Sequence, residues 1–355
     1  MTESTQTVSG PLKGRKSGRS RRFWESALEQ GIRLIAITCV LVIFLIFVFV
    51  FKEAAPILSG KLQTVHTVTE DLGEMESYGE APAETELHTE PLHLASGESQ
   101  NLDLKHLAGT TWQPTSLNPQ FGLLPLFLGT LKVTLVALLI ALPVGVMAAL
   151  YTAAFAPKWV KEIMKPTIEI LAGIPSVVIG FFALVILASL LQTLFGTEYR
   201  LNALVGGLAL SLAVIPIIYT VSEDALATVP RSLTEASLAL GATRFETAWH
   251  VVLPAALPGV VAAALLGLGR AFGETMIVLM ATGNAALLTP SLAEPVRTLS
   301  ATIGAEMAEV VFGDTHYTVL FFIGTLLFAI SFALNALVEI FVRGYLIKRF
   351  RGMAS

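Results

Sequence analysis

The chain has 355 residues, of which 54% are hydrophobic and only 14% are charged, and its formal net charge is −4. Soluble domains carry about 25% charged residues, so this composition excludes an ordinary soluble protein and indicates apolar side chains that face a bilayer. Residues 52–125 contain 11 acidic residues and 3 lysines, whereas the remainder contains 16 acidic and 20 basic residues. Two parts of opposite charge are therefore joined in one chain.

Six segments are apolar over about the 20 residues that a helix needs to cross the hydrocarbon core of a membrane. The predicted membrane helices cover residues 34–51, 133–155, 170–195, 201–222, 256–282 and 317–338. The fifth segment is apolar except for Arg270 and Glu274. The sequence thus predicts an all-α membrane protein with six transmembrane helices.

The distribution of lysine and arginine predicts the side of the membrane on which each terminus lies. With the N-terminus inside, the cytoplasmic segments contain 16 of the 23 basic residues and the external segments contain 5. Basic residues accumulate in cytoplasmic segments, so we expect both termini in the cytoplasm. A cleaved signal peptide is the poorer interpretation of the first segment, because its apolar stretch exceeds about 15 residues and follows a long leader.

These helices divide the chain into five parts. They are a basic cytoplasmic tail (1–32), the first transmembrane helix (33–52), an acidic external insertion (53–122), a five-helix core (123–345) with a cytoplasmic loop (223–254), and a second tail (346–355). In the insertion, four potential metal ligands lie close together: Glu86, His88, Glu90 and His93. Their spacing matches no tight ligand pattern, so we interpret them as part of a solvated loop and predict no metal site.

The cytoplasmic loop contains two signals for the start of a helix. Two pairs have the spacing of a capping box, in which each hydroxyl and each carboxylate binds a free backbone N–H: Ser232 with Glu235, and Thr243 with Glu246. Gly241 lies between the pairs and can take the left-handed conformation that ends the first helix. The loop therefore contains two predicted helices separated by a glycine turn.

We expect these helices over residues 233–240 and 244–252, with Pro254 ending the second. A short, rigid pair of helices is suited to docking into a groove of another protein. The alternative is an elbow that only connects two membrane helices. Glu223 and Asp224, at the start of the loop, are expected to be solvated or to contact another subunit.

The loop carries a resemblance to a known family. Glu235-Ala236-Ser237 is followed after three residues by Gly241, and after nine more by Val251-Val252-Leu253-Pro254. This pattern resembles the EAA loop of ABC importer permeases, with Ser237 in place of alanine and Val251 in place of isoleucine. Its long spacing makes it a specific signal. The resemblance implies a coupling helix that sits on an ATPase subunit, with six coupling residues: Glu235, Ala236, Ser237, Gly241, Leu253 and Pro254.

Further stretches are similar to the phosphate-specific permeases of that family, of the PstC type. They are residues 168–177, 222–232, 239–242 and 267–276, the last followed by Gly283 and Asn284. The resemblance covers roughly residues 25–55 and 110–345 and leaves 56–105 unassigned. It implies a type I ABC importer permease fold, in which residues 123–345 are the permease core, in the inner membrane of a bacterial cell.

The same resemblance implies the partners of the chain. They are a sister permease of the PstA type, a homodimeric ATPase of the PstB type, an external phosphate-binding protein of the PstS type, and membrane lipid. ATP and Mg²⁺ are then bound by the ATPase, and the chain itself needs no cofactor and contacts no nucleic acid.

Arg270 and Glu274 are four residues apart, hence on one face of the predicted fifth helix. Each is costly against lipid, so both should face the protein interior or a water-filled path. One interpretation is an ion pair that locks helix packing. In the other, the Arg270 guanidinium binds a passing oxyanion, and Glu274 competes for it and keeps binding weak enough for release. The resemblance favours the second interpretation.

Three further residues join Arg270 and Glu274 in the predicted substrate path. Thr275 belongs to the matched stretch, and Glu169 and Ser176 flank a Gly-Ile-Pro sequence near the start of the third helix. Glu169 is either a charge that the helix dipole favours or a residue that acts in gating. Gly269 and Gly273 have the GxxxG spacing that lets another helix approach closely, which places the fifth helix at a predicted subunit interface.

The sequence contains no G-x-x-x-x-G-K-[ST] phosphate loop, so a partner must hydrolyse ATP. It also lacks an arrangement of serine, histidine and acidic residues suited to hydrolysis in the membrane, and we predict that the chain is not an enzyme. A passive anion channel would not need a loop that grips an ATPase. The predicted function is phosphate import; the alternatives are a permease for sulfate or molybdate and a sensory membrane protein.

Overall fold

The computed structural model describes residues 19–58, 104–116 and 118–340. Within these ranges six helices are long and apolar enough to cross a membrane, which confirms the number of predicted spans. They are Leu28–Ile57, Leu124–Phe155, Ser176–Phe195, Ala203–Ala227, Arg244–Phe272 and Thr315–Leu337. Residues 1–18 of the first predicted tail, the whole second predicted tail and most of the acidic insertion, with the four potential metal ligands, lie outside the described residues. The side of the membrane that each end faces stays a prediction.

The first helix, α1 (Arg19–Leu58), runs for 40 residues. Its part up to Val50 forms a compact unit by itself. From Leu28 to Val50 nearly every side chain is exposed, although most are apolar. A helix that is apolar on all its faces is suited to a membrane rather than to water.

The second unit, Phe51–Ser355, contains the remaining elements. In chain order they are α2 (Leu104–Leu107), β1 (Trp112–Gln113), β2 (Gln120–Phe121), α3 (Leu124–Leu150), α4 (Lys158–Gly173), α5 (Ser176–Phe182), α6 (Ala188–Phe195), α7 (Ala203–Ala227), α8 (Arg231–Ala239), α9 (Arg244–Thr247), α10 (Leu253–Phe272), α11 (Met276–Ala281), α12 (Leu299–Glu306) and α13 (Thr315–Ile340). Three π-helical turns, Tyr151–Phe155, Ala183–Leu187 and Ala248–Val252, continue α3, α5 and α9.

Small residues bring α3 and α7 together at the centre of this unit. Ala137 and Ala141 of α3 and Ala209 of α7 are fully buried in one apolar cluster. Gly207 of α7 lies so close to Val136 that a Cβ atom there would collide with it. Close approach of helix backbones through small residues is a principal source of packing energy in membranes. The helix α10 packs on both members of this pair, and α11 packs on α7.

A partly buried ion cluster lies beside the short antiparallel sheet β1–β2. The Glu306 carboxylate pairs with Arg297 at 2.7 Å and with His316 at 2.8 Å, and it accepts a hydrogen bond from Trp112 Nε1 at 3.1 Å. Burial acts to raise the pKa of Glu306, but these hydrogen bonds and the arginine charge outweigh it and hold the pKa below its ordinary value. The cluster ties β1 to the end of α12 and the start of α13.

The third span begins later than the sequence predicts. Residues 170–173 belong to α4, a separate helix with no buried residue, and the span itself begins at Ser176. Ile174 and Pro175 have extended backbones between the two helices, because proline fixes its φ and lacks the N–H that a continuous helix needs. Glu169 therefore does not begin the third span: it lies near the end of α4 and is exposed.

The fourth span continues to Ala227, five residues beyond its predicted end at Ser222. Glu223 is consequently buried in α7 rather than solvated, and its carboxylate pairs with Lys165 of α4 at 2.7 Å. The hydrogen bond to Glu223 is the main cause of a raised pKa at Lys165. This pair holds α4 against the end of α7.

The loop predicted to be cytoplasmic contains both predicted helices, but only one of the two predicted capping boxes. Thr243 Oγ1 accepts a hydrogen bond from Glu246 N at 3.2 Å, and Glu246 Oε2 accepts one from Thr243 N at 2.8 Å, which confirms the second box. The first is wrong: α8 begins at Arg231, with Pro230 in the capping position and no side-chain cap.

The loop also differs from the prediction at its end. The second helix does not end at Pro254, because α9 continues through a π-helical turn directly into α10. Pro254 is the second residue of α10, directly after the π-helical turn, and the helix continues through it to Phe272. The last part of this loop and the fifth span are thus one continuous helical rod, Arg244–Phe272.

Candidate functional site

The predicted path residues lie at a break in the fifth span. The helix α10 ends at Phe272 and α11 begins at Met276, so the prediction of one helix through both charges is wrong beyond Phe272. Gly273 leaves the helical conformation with φ −92° and ψ 1°. Glycine favours such a break, because it is the ordinary residue with the least preference for a helix interior. Glu274 and Thr275 therefore lie in the link between two helices.

The two charges form an ion pair across this break, as their spacing predicts. Arg270 Nη1 lies 2.9 Å from Glu274 Oε2, and the side chains are 48% and 4% exposed, respectively. The carboxylate thus lies in the interior while the guanidinium is half open. Only one of the five N–H donors of arginine is used in this contact.

Hydroxyl groups at the start of α12 hold the backbone of the break. Ser300 Oγ donates to the Glu274 carbonyl oxygen at 2.6 Å and lies 3.3 Å from Thr298 Oγ1, which in turn accepts from Ala301 N. Since the single hydrogen of Ser300 goes to Glu274, Thr298 must donate to Ser300. The result is a directed chain of hydrogen bonds that ends on a carbonyl freed by the helix break.

Two contacts fix α12 in turn. Thr130 Oγ1 of α3 accepts from Leu299 N at 3.0 Å, which ties the start of α12 to the central helix pair. A Cβ atom at Gly304 would lie 2.7 Å from Thr275 Cγ2, so glycine at this position allows Thr275 to approach α12 as closely as it does. Sequence reasoning includes Thr275 but misses Thr130 and Ser300. Hydroxyl residues at a helix start are a recognisable signal, which could have pointed to Ser300.

Glu169 and Ser176 are not joined to this site. Glu169 is exposed on α4, and Ser176 is half-buried at the start of α5. Among the residues that the structure describes, neither one forms a hydrogen bond or ion pair with Arg270 or Glu274. Their assignment to the path stays a prediction.

The predicted coupling residues form a second site around the glycine turn. Glu235 and Ala236 are exposed on α8, and Gly241 has the predicted left-handed backbone with φ +89°. Ser237 Oγ lies 2.9 Å from Thr247 Oγ1, which fixes α8 to α9. The remaining two coupling residues, Leu253 and Pro254, lie in the first turn of α10.

Large apolar side chains surround the same turn. Leu240 is 90% exposed, and the exposed rings of Phe245 and Trp249 stack with their centroids 6.3 Å apart. A rigid, apolar surface of this kind is suited to contact with another protein. It is joined covalently, through the π-helical turn and α10, to the break that contains Glu274.

Comparison with known proteins gives consistent relatives. The family described as "Binding-protein-dependent transport system inner membrane component" matches residues 141–347. The chain is 37% identical over 236 residues to the "Probable ABC transporter permease protein YqgH" of Bacillus subtilis, which covers 66% of this chain and 76% of that protein. It is 34% identical over 264 residues to the "Phosphate transport system permease protein PstC" of Xylella fastidiosa, which covers 68% of this chain and 80% of that protein.

Other comparisons extend this result. The protein of the same name from Mesorhizobium japonicum is 34% identical over 250 residues, 65% of this chain and 76% of that protein. Among solved structures, a chain of a bacterial ABC transporter involved in the import of the acidic polysaccharide alginate superposes with a TM-score of 0.54. The match covers 91% of this chain and 99% of that one at 13% identity, and it therefore bears on the fold alone.

Proposed function

The chain belongs to the family of binding-protein-dependent transport system inner membrane components, and we propose that it forms part of the path for inorganic phosphate in an ATP-driven importer. Membership makes it a multi-pass permease subunit of an ABC importer with the type I fold. The observation that carries the phosphate proposal is a half-open arginine whose carboxylate partner is buried at a helix break in the membrane. The relatives named as phosphate permeases support the choice of ligand.

Arg270 is the proposed binding group for the anion. A guanidinium presents a planar fork of donors that matches two oxygens of a tetrahedral oxyanion. The pair with Glu274 occupies one of its five donors, and the side chain is 48% exposed. Phosphate can therefore bind without first displacing the carboxylate.

Glu274 is proposed to limit the strength of that binding. A path must bind its ion well enough to admit it and weakly enough to let it leave. A fixed carboxylate 2.9 Å from the guanidinium lowers the net positive charge that the phosphate meets. Thr275 is proposed to contribute through its position in the break, and Ser176 and Glu169 to line or gate the path elsewhere.

ATP is proposed to act through the cytoplasmic loop. In this scheme both termini are cytoplasmic, and the exposed turn at Gly241 docks on a homodimeric ATPase of the PstB type, which binds ATP and Mg²⁺. A sister permease of the PstA type completes the path, and an external phosphate-binding protein of the PstS type delivers the anion. The chain itself is proposed to catalyse no reaction, and the complex to lie in the bacterial inner membrane.

The continuous rod from Arg244 into α10 suggests how ATP binding alters the path. Closing of the ATPase dimer would move the loop as a rigid lever and convert an inward-facing path to an outward-facing one. The break at residues 273–275 is then the point at which the rod can bend. Hydrolysis would return the opening to the cytoplasm.

The test is uptake of radiolabelled phosphate by vesicles that contain the complete complex, with and without ATP and competing sulfate. We expect ATP-dependent phosphate entry, and replacement of Arg270 by glutamine should abolish it while the subunits still co-purify. Normal uptake by the R270Q variant would remove Arg270 from the path. Entry of sulfate or molybdate instead of phosphate would assign another oxyanion, and absence of any ATP-dependent entry would overturn the proposal.

A further inference from the structure

Asn335 places a polar side chain on the outside of a membrane helix. It lies in the sixth span, on α13, and is exposed. Among the residues that the structure describes, no donor or acceptor is hydrogen-bonded to its amide. An amide without a partner is costly in hydrocarbon, so this face of α13 is not expected to lie against lipid alone.

Asn335 lies close to α10, beside the residue that precedes the proposed anion-binding arginine. Its Oδ1 atom lies 4.0 Å from the point that a Cβ atom at Gly269 would occupy. Gly269 is the residue before Arg270, and both residues are incompletely buried on α10. The absence of a side chain at residue 269 leaves open the space between the amide and the backbone of α10.

We infer that Asn335 lines the translocation path beside Arg270 and donates hydrogen bonds to the transiting oxyanion. The inference rests on the proposed function and adds a second binding residue to it. It also gives the exposed amide a partner, because the anion satisfies the donors that the described protein atoms leave free.

An amide suits this role for a chemical reason. The side-chain NH₂ group of asparagine offers two hydrogens and carries no net charge. It can therefore orient a tetrahedral oxyanion and favour its entry without deepening the electrostatic well that Arg270 already provides. A second cation at this position would oppose release.

The kinetic test uses the complete complex in vesicles and compares three variants. For Asn335→Ala we expect the KM for phosphate to rise by about tenfold, the size of one hydrogen bond to a charged group, with a smaller change in the maximal rate. Asn335→Gln should recover part of the affinity, and Asn335→Asp should lose more, because a carboxylate repels the anion. Thr325→Ala is the control, since that hydroxyl on α13 already donates to the Phe321 carbonyl.

A labelling test does not depend on the activity of the variants. Cys39 is the single cysteine of the sequence, so Cys39→Ala combined with Asn335→Cys leaves one reporter thiol. A negatively charged, water-soluble thiosulfonate should modify this thiol in the assembled complex, and phosphate should slow the reaction. Leu337→Cys is the control, because residue 337 is 55% exposed but lies on another face of the helix.

The outcomes separate the two proposals. If the unmodified complex takes up no phosphate, the proposed function fails. If it takes up phosphate but Asn335→Ala has unchanged KM and the reporter thiol is not labelled, only the role of Asn335 is overturned. Loss of the sister subunit during purification of Asn335→Ala, with no labelling, would assign the amide to a helix–helix contact and would likewise overturn the inference.

Discussion

Removal of the Ser300 hydroxyl should destabilise the helix break that positions Glu274. In the described part of the chain, this hydroxyl is the donor to the Glu274 carbonyl, at 2.6 Å, and no backbone N–H is bonded to that oxygen. Ser300 is only 4% exposed, so water does not replace the lost donor. Ser300→Ala therefore leaves a buried acceptor unsatisfied rather than exchanging one partner for another.

The expected size follows from that distinction. An unsatisfied buried acceptor costs about 1–3 kcal/mol, whereas hydrogen bonds between membrane helices average about 0.6 kcal/mol because alternatives are usually found. The Glu274 carbonyl lies at a break and has no helical donor to return to, so we expect a loss of about 1–2 kcal/mol in the free energy of unfolding. Phosphate uptake should also fall, since the break holds the carboxylate beside Arg270.

Thr302→Val provides the matched control on the same helix. Thr302 is fully buried, and its hydroxyl donates to the Thr298 carbonyl at 2.9 Å. That carbonyl also accepts the backbone N–H of Thr302 at 3.0 Å, so the isosteric valine leaves no acceptor unsatisfied. The assay is a denaturant titration of each purified variant in mixed micelles. Equal unfolding free energies for Ser300→Ala and Thr302→Val would refute the role of α12 in holding the break.

Two further predictions concern other parts of the fold. The pKa of Glu306 is lowered in the folded chain, so the stability that this carboxylate contributes is complete above the unfolded pKa of about 4.3 and is lost as pH falls through the lower folded pKa. Glu306→Gln should abolish this acid-dependent loss of stability, measured by thermal unfolding between pH 3 and 7. Parallel dependences of the unfolding temperature on pH for the two proteins would contradict this prediction. Gly241→Val should reduce phosphate-dependent ATPase activity of the complex, because the backbone at residue 241 has a φ of +89°, which strains valine. Gly313→Val is the control, since its φ of +83° imposes the same strain outside the predicted coupling loop, and it should reduce the activity less. Equal losses of ATPase activity in the two variants would contradict a coupling role for the turn.

Local patterns in the sequence predict local structure well. Apolar length predicts the six spans, the Thr243–Glu246 spacing predicts a real capping box, and the interval between Arg270 and Glu274 predicts their contact. Each of these signals depends on residues within a few positions of one another. The confirmed features are therefore those that a single helical turn or a single membrane crossing determines.

Contacts between distant residues account for what the sequence does not reveal. The bond from Ser300 to Glu274 joins residues 26 positions apart, and it can be recognised only once α12 is known to lie beside the break. The predicted box at Ser232 fails for a different, local reason, since Pro230, two residues earlier, already occupies the capping position. The spacing of a capping box at Ser232 and Glu235 does not exclude that a neighbouring residue begins the helix instead.

The unequal exposure of the Arg270–Glu274 pair is the strongest argument against a purely structural role. A pair that only locked two helices would be most stable with both groups shielded, because a guanidinium exposed to lipid is costly. Here the carboxylate is 4% exposed and the guanidinium 48%. Ser300 also holds the backbone carbonyl of Glu274 through a hydrogen bond of 2.6 Å, which restrains residue 274 from following an anion bound to Arg270. In the proposed function, a fixed carboxylate beside a half-open arginine would return the guanidinium to the same state after each anion leaves, as repeated transport requires.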